Sequence, residues 1–557
     1  MLVWVVTGLH VALLGMCTVL YPPFTGPDET FHVDMAYAYS KGHGPYPPGG
    51  RLLARGIEAV YGSLRVPPAN AAYSDLPVLP RGQRPSIDAA GGDGRPVRYL
   101  IPNQMVQHPP LYYLVGAGVL RLPGADRLGY DRQVALLRWV SVLMVAPLPL
   151  LAWGTARRLA GGDGSGPVPL AAAVLPVTLP GLSHIGSVVN NDNLLTLLTG
   201  GLLLVLAGVL GGDLRVRTGA LVGLLLGLGL LTKGLALVVP VPVAVGYLVA
   251  GRRHRRRLLG GLPGLAAAGA VSAAVGGWWW ARNLLLYGAV EPSGVGAAWE
   301  RVINGGPRPG GSWLGLVPKF VFRFQSRFWG GLGYLEPPTL PQWLTSLWLA
   351  ATVAGALVAV GFGVGGRWGR AATVPFLLPA LLFTGLIFYG SGRQYVYNLR
   401  LPGIQGRYVY PALTGLAVLF ALGLTRLAGR LARTLPLLLL AAGLLTQAWA
   451  WRLLLAEWWA PRHTLGDRTA MLHGAIDGLL RWSPWPTAAT LTPFIAVALL
   501  SLAALAVAAL AVRPRLSPLA AAGAGTPAAP ESPESPAGGE STERRQPSRA
   551  PGGPAGP

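Results

Sequence analysis

Charge is what this chain has least of. Only 12% of its 557 residues are Asp, Glu, Lys or Arg, against about 25% in an ordinary soluble domain. The charges are clustered and the long stretches between them carry none, which excludes a soluble globule and fits repeated bilayer spans. Lysine is nearly missing: Lys41, Lys233 and Lys319 are the only ones, so arginine supplies almost all the positive charge. The single cysteine, Cys17, excludes an intramolecular disulfide and a Cys-rich zinc site. It lies in an apolar run and reads as a small buried hydrophobe. No Walker A, zinc-protease or EF-hand motif occurs, and the spacing reveals no Ser-His-Asp arrangement. Net charge is +23, yet no nucleic-acid partner is expected, because the basic residues sit beside apolar runs.

Apolar sequence is what the chain has in quantity, at 52%. Roughly twelve segments are long enough to span, allowing for tilt and for two short ones. They are Leu2–Leu20, Val134–Ala156, Val168–Ser187, Leu194–Leu210, Thr218–Leu231, Leu235–Ala250, Leu258–Trp280, Trp343–Val364, Ala371–Tyr389, Tyr408–Thr425, Leu435–Leu455 and Ala488–Val512. Met1–Leu20 has neither a basic n-region nor an A-x-A cleavage site, so it reads as a retained first span. Heavy use of Ala, Gly, Pro and Arg suggests a GC-rich bacterial genome. The fold class expected is therefore all-α, a polytopic transmembrane helical bundle.

Arginine placement gives an orientation. With the N-terminus inside, every short loop predicted to be cytoplasmic is basic: Arg157-Arg158, Arg215 and Arg217, Arg252-Arg253-His254-Arg255-Arg256-Arg257, Arg367 and Arg370, Arg426, Arg430 and Arg433, and Arg513 and Arg515. That pattern obeys the positive-inside rule. It divides the chain into a transmembrane domain, 1–512, and a cytoplasmic tail, 513–557, whose Pro, Ala, Gly, Ser and Glu cannot bury a core and read as disordered. Two long loops are left outside, 21–133 and 281–342, the first expected to be a long helical loop. In the second, Lys319 to Trp329 interleaves bases with aromatics, which suits the membrane interface.

Most of the unusual polar residues fall on the outer side of this topology. Asp28 and His32 lie one turn apart on a helix and share a face; Asp28 reads as a general base or, through Thr25-x-x-Asp28, as part of a capping box. His108, ahead of Pro109-Pro110-Leu111-Tyr112-Tyr113, reads as a phosphate or carboxylate partner or as an exposed loop histidine. Asn190-Asn191-Asp192-Asn193 makes a turn that caps the next helix, or hydrogen-bonds a sugar or a metal. Lys233 sits between two short apolar segments, either holding a lipid phosphate or snorkelling to headgroups. Trp278-Trp279-Trp280 reads as an interfacial belt, with Arg282 beyond it as a phosphate fork or a plain anchor. Arg407, in Gln405-Gly406-Arg407-Tyr408, is costly at the edge of hydrocarbon unless paired, and a bidentate phosphate would pair it.

In order and topology, these segments resemble bacterial GT-C-type glycosyltransferases, which use polyprenyl-phosphate sugars, a superfamily related to the dolichyl-phosphate-mannose-protein mannosyltransferase-like proteins. The closest likeness is to a GT-C-like group with a P-D-E-x-x-H start, here Pro27 to His32, and a Q-G-R-Y segment, here Gln405 to Tyr408. His108 to Tyr113, Asn191-Asp192 and Leu231-Thr232-Lys233-Gly234 are similar to the group as well. The likeness covers Met1 to about Val512. It implies a GT-C-like bundle that transfers a sugar from a polyprenyl-phosphate donor to a cell-envelope glycan, lipid or protein at the outer face of the plasma membrane, with inversion. Asp28 would be the base and Glu29 its catalytic neighbour. His32, His108, Asn191, Asp192, Lys233, Arg282, Gln405, Arg407 and Tyr408 would bind substrate. Some relatives hold a divalent metal, but this sequence offers no clear ligand set. The large soluble acceptor domain of some families is missing. Two rival classes remain: a transporter or flippase of lipid-linked sugars, which would be expected to show midplane polar sites and internal repeats, and a non-catalytic membrane protein.

Overall fold

Proline and glycine decide where the long apolar runs stay straight and where they break. The structure, a computed structural model, describes residues 1–64, 71–91, 101–161, 164–295, 305–308, 310–333, 338–363, 369–464 and 466–512. The predicted tail, 513–557, lies outside the described residues, as does Arg367. Among the described residues, ten helices are long and apolar enough to cross a membrane: Leu2–Leu20, Tyr130–Ala160, Asp192–Leu210, Gly234–Arg255, Leu258–Tyr287, Gln342–Phe362, Arg370–Asn398, Gly406–Leu431, Leu435–Trp459 and Thr487–Val512. An eleventh forms if Pro167–Thr178 and Pro180–Gly186 are taken as one span bent by 68°. The bend falls at Leu179-Pro180, where the ring removes a backbone donor and displaces the preceding turn.

The remaining predicted span, Thr218–Leu231, is short as expected. Val216–Leu230 has 15 residues, about 22 Å at 1.5 Å per residue, and it stops short of Lys233. That lysine is extended, with φ −161° and ψ 148°, and a 3₁₀ turn, Gly234–Val238, follows it. The helix resumes only at Pro240, whose fixed φ suits a first turn. Two apolar helices thus meet at an unwound junction whose backbone needs polar partners.

Helix direction separates two ends of the bundle. The helices beginning at Asp192, Gly234 and Gly406 run toward the arginine-bearing segments around Leu210, Arg255 and Arg426. At that end His254 shares a 2.8 Å hydrogen bond with the Leu210 carbonyl, and Arg426 donates to the Gly363 carbonyl. A helix of 19 residues such as Asp192–Leu210 is about 28 Å long, so the basic loops and the polar motifs lie a bilayer's thickness apart.

The two long loops are largely helical where they are described. The first carries Glu29–Ser40, Arg55–Ser63 and Leu111–Leu120. Asp34, fully buried, fastens it by accepting both Nε and Nη2 of Arg51 at 2.6 and 2.7 Å, the Ala54 amide at 2.9 Å and the Asn103 amide group at 2.7 Å. The second carries Trp313–Trp329, capped by the Ser312 hydroxyl, which accepts from the Gly315 amide. Phe320, Phe328 and Trp329 are buried, while Trp313, Leu314, Val317, Val321 and Phe322 are exposed. That split makes the helix amphipathic, the form expected of a segment lying along an interface.

Candidate functional site

The site starts from a backbone that only unusual residues tolerate. After the span Leu2–Leu20, the turn through Pro22 and Pro23 puts Phe24 and Asp28 in the left-handed region, at φ 66° and 60°. Asp accepts that region better than most side chains, and such outliers concentrate at functional sites. Asp28 is the residue before Glu29–Ser40, yet its side chain makes no cap hydrogen bond. The Thr25 hydroxyl donates instead to the Pro22 carbonyl at 2.7 Å. The capping box allowed by Thr25-x-x-Asp28 is therefore not formed, and the Asp28 carboxylate is turned elsewhere.

It is turned toward Arg407. Arg407 Nη2 donates to Asp28 Oδ2 at 2.6 Å, and its Nη1 donates to the Pro27 carbonyl at 3.3 Å. Arg407 Nε lies 3.6 Å from Asp192 Oδ2, and Lys233 Nζ lies 2.6 Å from Asp192 Oδ1. Asp28, Arg407, Asp192 and Lys233 thus form a charge-balanced chain drawn from four distant segments. Pairing is what makes two such buried cations tolerable. The Tyr408 ring adds to it, with Lys233 Nζ 4.4 Å and the Arg407 guanidinium carbon 5.2 Å from its centroid, a favourable place for cations. The chain has slack, because Arg407 Nε and Asp192 Oδ2 both lack a hydrogen-bond partner.

Local chemistry fixes each member. Asp192 opens its helix, where the dipole favours an acid, and its amide donates to Asn190 Oδ1 at 2.9 Å. Asn190 donates to the Pro27 carbonyl at 3.2 Å, and Asn191 to the Thr232 carbonyl at 3.4 Å. Those two amides tie the Asn-rich turn to the segments carrying Asp28 and Lys233. Gly406 must be glycine: a Cβ there would lie 2.3 Å from the Phe328 backbone nitrogen. The second-loop helix therefore backs directly onto the Arg407 segment.

Asp28, His32, His108, Lys233, Arg407 and Tyr408 line one cavity of about 450 Å³. His32 Nδ1 is 3.1 Å from the Tyr113 hydroxyl, and the His32 and His108 rings are near-parallel with centroids 6.4 Å apart. Burial, reinforced by the positive field of Lys233 and Arg407, pushes both imidazoles well below their usual pKa. They are neutral at physiological pH and able to accept as well as donate.

Other predicted site residues are placed differently. Glu29 is turned away from the cavity into a buried bidentate pair with Arg138, at 2.8 and 2.6 Å, and also accepts from the Val189 and Gly26 amides. Asn191 and Asp192 sit behind the cavity wall. Arg282 stacks on Trp279 and Tyr287, 5.1 and 5.6 Å from their centroids, and its Nη1 donates to Asn283 Oδ1 at 3.1 Å. Gln405 is half-buried beside the cavity and does not line it.

Several lining residues have no counterpart in the sequence reading. Gln104 donates to Asp28 Oδ1 at 3.3 Å, and Gln107 accepts from the Gly294 amide at 3.3 Å. Glu291 lines the cavity from the second loop, and Leu235, Leu237, Val238 and Leu386 make one wall apolar. Nothing in the sequence singles out Glu291, because the two long loops also carry Asp34, Glu58, Asp75, Asp88, Asp126 and other acids, and only the fold brings this one to the cavity. Among the described residues, no group of three or more His, Cys, Asp or Glu side chains is placed to hold a metal ion. Of the three carboxylates around the cavity, Asp28 and Asp192 are engaged by Arg407 and Lys233, and the one left, Glu291, is too few for the oxygen-rich shell of a divalent ion.

Among solved structures, the chain is similar to ArnT from Cupriavidus metallidurans bound to undecaprenyl phosphate, with a TM-score of 0.45, 16% identity, and coverage of 90% of this chain and 77% of that one. It is also similar to the oligosaccharyltransferase AglB from Archaeoglobus fulgidus in complex with an inhibitory peptide and a dolichol-phosphate, with a TM-score of 0.36, 13% identity, and coverage of 86% and 56%. Likenesses this loose transfer no residue role. A comparison with curated proteins finds no match. Residues 12–416 match the family described as predicted membrane protein (DUF2142), and the chain belongs to that family.

Proposed function

We propose that this chain is an inverting membrane glycosyltransferase, taking a sugar from a polyprenyl-phosphate donor and passing it to a cell-envelope glycan, lipid or protein at the outer face of the plasma membrane. The observation that carries this reading is the meeting of Asp28, Lys233 and Arg407 at one cavity that Leu235, Leu237, Val238 and Leu386 also line. Two cations suit a phosphate, a carboxylate suits a hydroxyl, and Leu235, Leu237, Val238 and Leu386 suit a lipid.

The chemistry follows from these groups. The donor phosphate takes hydrogen bonds from Arg407 and Lys233, drawing Arg407 away from Asp28. The freed Asp28 carboxylate accepts the proton of the acceptor hydroxyl as its oxygen attacks the anomeric carbon. The bond from that carbon to the phosphate oxygen breaks, and its electron pair leaves with the lipid phosphate. A single displacement inverts the anomeric centre. The leaving group needs no proton from an acid, because preorganised cations stabilise the charge that develops on it. Neutral His32 and His108 leave the positive charge to Arg407 and Lys233 and offer hydrogen bonds to the bound sugar.

Lipid-linked glycan and envelope analysis of a deletion strain tests the reading. The expected result is accumulation of a polyprenyl-phosphate sugar together with loss of an envelope decoration. Unchanged lipid carriers and unchanged envelope glycans would overturn it. Cysteine labelling from outside should reach a probe at Gly305 and miss one at His254; the reverse pattern would put the cavity on the wrong face for the proposed donor.

A further inference from the structure

Three carboxylates surround the cavity, and two are spoken for. Asp28 is held by Arg407 and Gln104, and Asp192 by Lys233. Glu291 alone has no hydrogen-bond or ion-pair partner among the described residues, although it lines the same cavity. Its position is built. The Asn283 side chain donates to the Val290 carbonyl at 3.2 Å, and the Gly294 amide donates to Gln107 Oε1 at 3.3 Å. The Gly49 amide donates to the Gly294 carbonyl at 2.9 Å. The short segment carrying Glu291 is thereby pinned on both sides and crosses the cavity beside the first loop.

The carboxylate itself rests on Gly234. A Cβ at that position would meet both Glu291 carboxylate oxygens at 2.7 Å. Gly234 directly follows Lys233, so Glu291 stands beside the cation assigned to the donor phosphate without forming a bridge to it. Burial raises the Glu291 pKa against the pull of Lys233, as expected of a carboxylate with no compensating hydrogen bond. A carboxylate is an acceptor with two oxygens and room for about four hydrogen bonds. An unengaged one next to a phosphate site is suited to the hydroxyls of whatever that phosphate carries.

We propose that Glu291 is a specificity-determining residue that accepts hydrogen bonds from hydroxyls of the donor's sugar, while Arg407 and Lys233 hold the phosphate. The inference rests on the donor class proposed above and adds the residue that distinguishes a glycosylated carrier from a bare one. Gly234 is its positioning residue, small so that the carboxylate can lie flat against the backbone.

The test compares two probes on the full chain in nanodiscs: polyprenyl phosphate and polyprenyl-phosphate hexose, with binding read by native mass spectrometry. In Glu291→Gln the hexose-bearing lipid should bind about tenfold more weakly, the scale of a hydrogen bond to a charged group, while the bare phosphate binds within about twofold of wild type. Gly234→Ala, which moves the carboxylate without removing it, should shift the same ratio in the same direction. Equal weakening of both lipids, or of neither, in both variants would overturn the role of Glu291 and leave the donor class standing. Failure of the wild type to bind either lipid would overturn the donor class and this inference with it.

Discussion

Asp28 and Glu29 are neighbours in sequence with opposite surroundings. The Glu29 side chain is 0% exposed and closed in by Arg138 and two backbone amides. The Asp28 side chain is 22% exposed, held by one arginine and one weak amide contact, and faces a cavity. Both are carboxylates in ion pairs with arginine, so charge alone does not separate them. The difference lies in the spare capacity of each pair. Arg138 also donates to the carbonyls of Thr18, Tyr21 and Pro22, whereas Arg407 keeps an unpaired Nε. A saturated pair fixes the turn after the first span; an unsaturated one can exchange partners with an incoming anion.

Breaking the saturated pair should cost the most. Arg138→Ala leaves the Glu29 carboxylate buried without its cation, and the expected loss is about 3–5 kcal/mol, enough to abolish recovery of folded protein. Thermal unfolding and yield in nanodiscs measure it. A stable Arg138→Ala protein would mean that Glu29 is not the anchor of this turn and would reopen it as a candidate base. Asp28→Asn comes next: its loss of stability should be smaller than that of Arg138→Ala, because Arg407 keeps Asp192 Oδ2 at 3.6 Å, but turnover per folded molecule should fall about a hundredfold or more, the usual worth of a general base. Intact turnover in folded Asp28→Asn would erase the proposed distinction between the two acids.

Much of the bundle is legible in the sequence because bilayer thickness and arginine placement are strong one-dimensional signals. The predicted spans Leu194–Leu210 and Trp343–Val364 differ from the observed helices Asp192–Leu210 and Gln342–Phe362 by only a residue or two at each end. The break at Thr232-Lys233-Gly234 is legible as well, because one predicted span ends at Leu231 and the next begins at Leu235; what the pattern hides is that the second run starts as a 3₁₀ turn, Gly234–Val238, and becomes α-helix only at Pro240. The site is legible in part. Asp28, His108, Lys233 and Arg407 all draw notice as polar residues predicted at one membrane face, and they do share a cavity. Arg282 draws equal notice by the same logic, yet it stacks on the aromatics of its own segment, because depth in the membrane says nothing about which side of the bundle a helix faces. The partner of Glu29 is hidden for the same reason: Arg138 lies inside an apolar span, and only the fold brings it to residue 29.

A smaller effect probes the exchange of partners itself. Arg407→Lys keeps the charge but loses the planar fork that engages Asp28 and the Pro27 carbonyl and that can exchange Asp28 for a phosphate. Affinity for polyprenyl phosphate should weaken about tenfold, with the unfolding temperature nearly unchanged. Equal affinity in Arg407→Lys would make Lys233 the dominant phosphate contact and weaken the link between phosphate binding and release of Asp28.

The smallest expected effect separates the neutral side of the cavity from its charged side. His32 and His108 have pKa values depressed in the fold by burial and by the nearby cations. In the unfolded chain each titrates near 6.5. Between these two values the unfolded state binds protons that the folded state refuses, so stability falls as pH drops below about 6.5 and is full above it. From about pH 7.5 to about pH 6, each histidine should withdraw up to about 1 kcal/mol. His108→Gln removes one of the two titrating groups. Its stability should therefore decline less steeply over that range than wild type, by about the contribution of one histidine, when unfolding is followed at a series of pH values in the same nanodisc. A slope identical to wild type would show that His108 takes up its proton equally in both states, and that the cavity beside Lys233 is wetter and less positive than the pairing of its four charged groups implies.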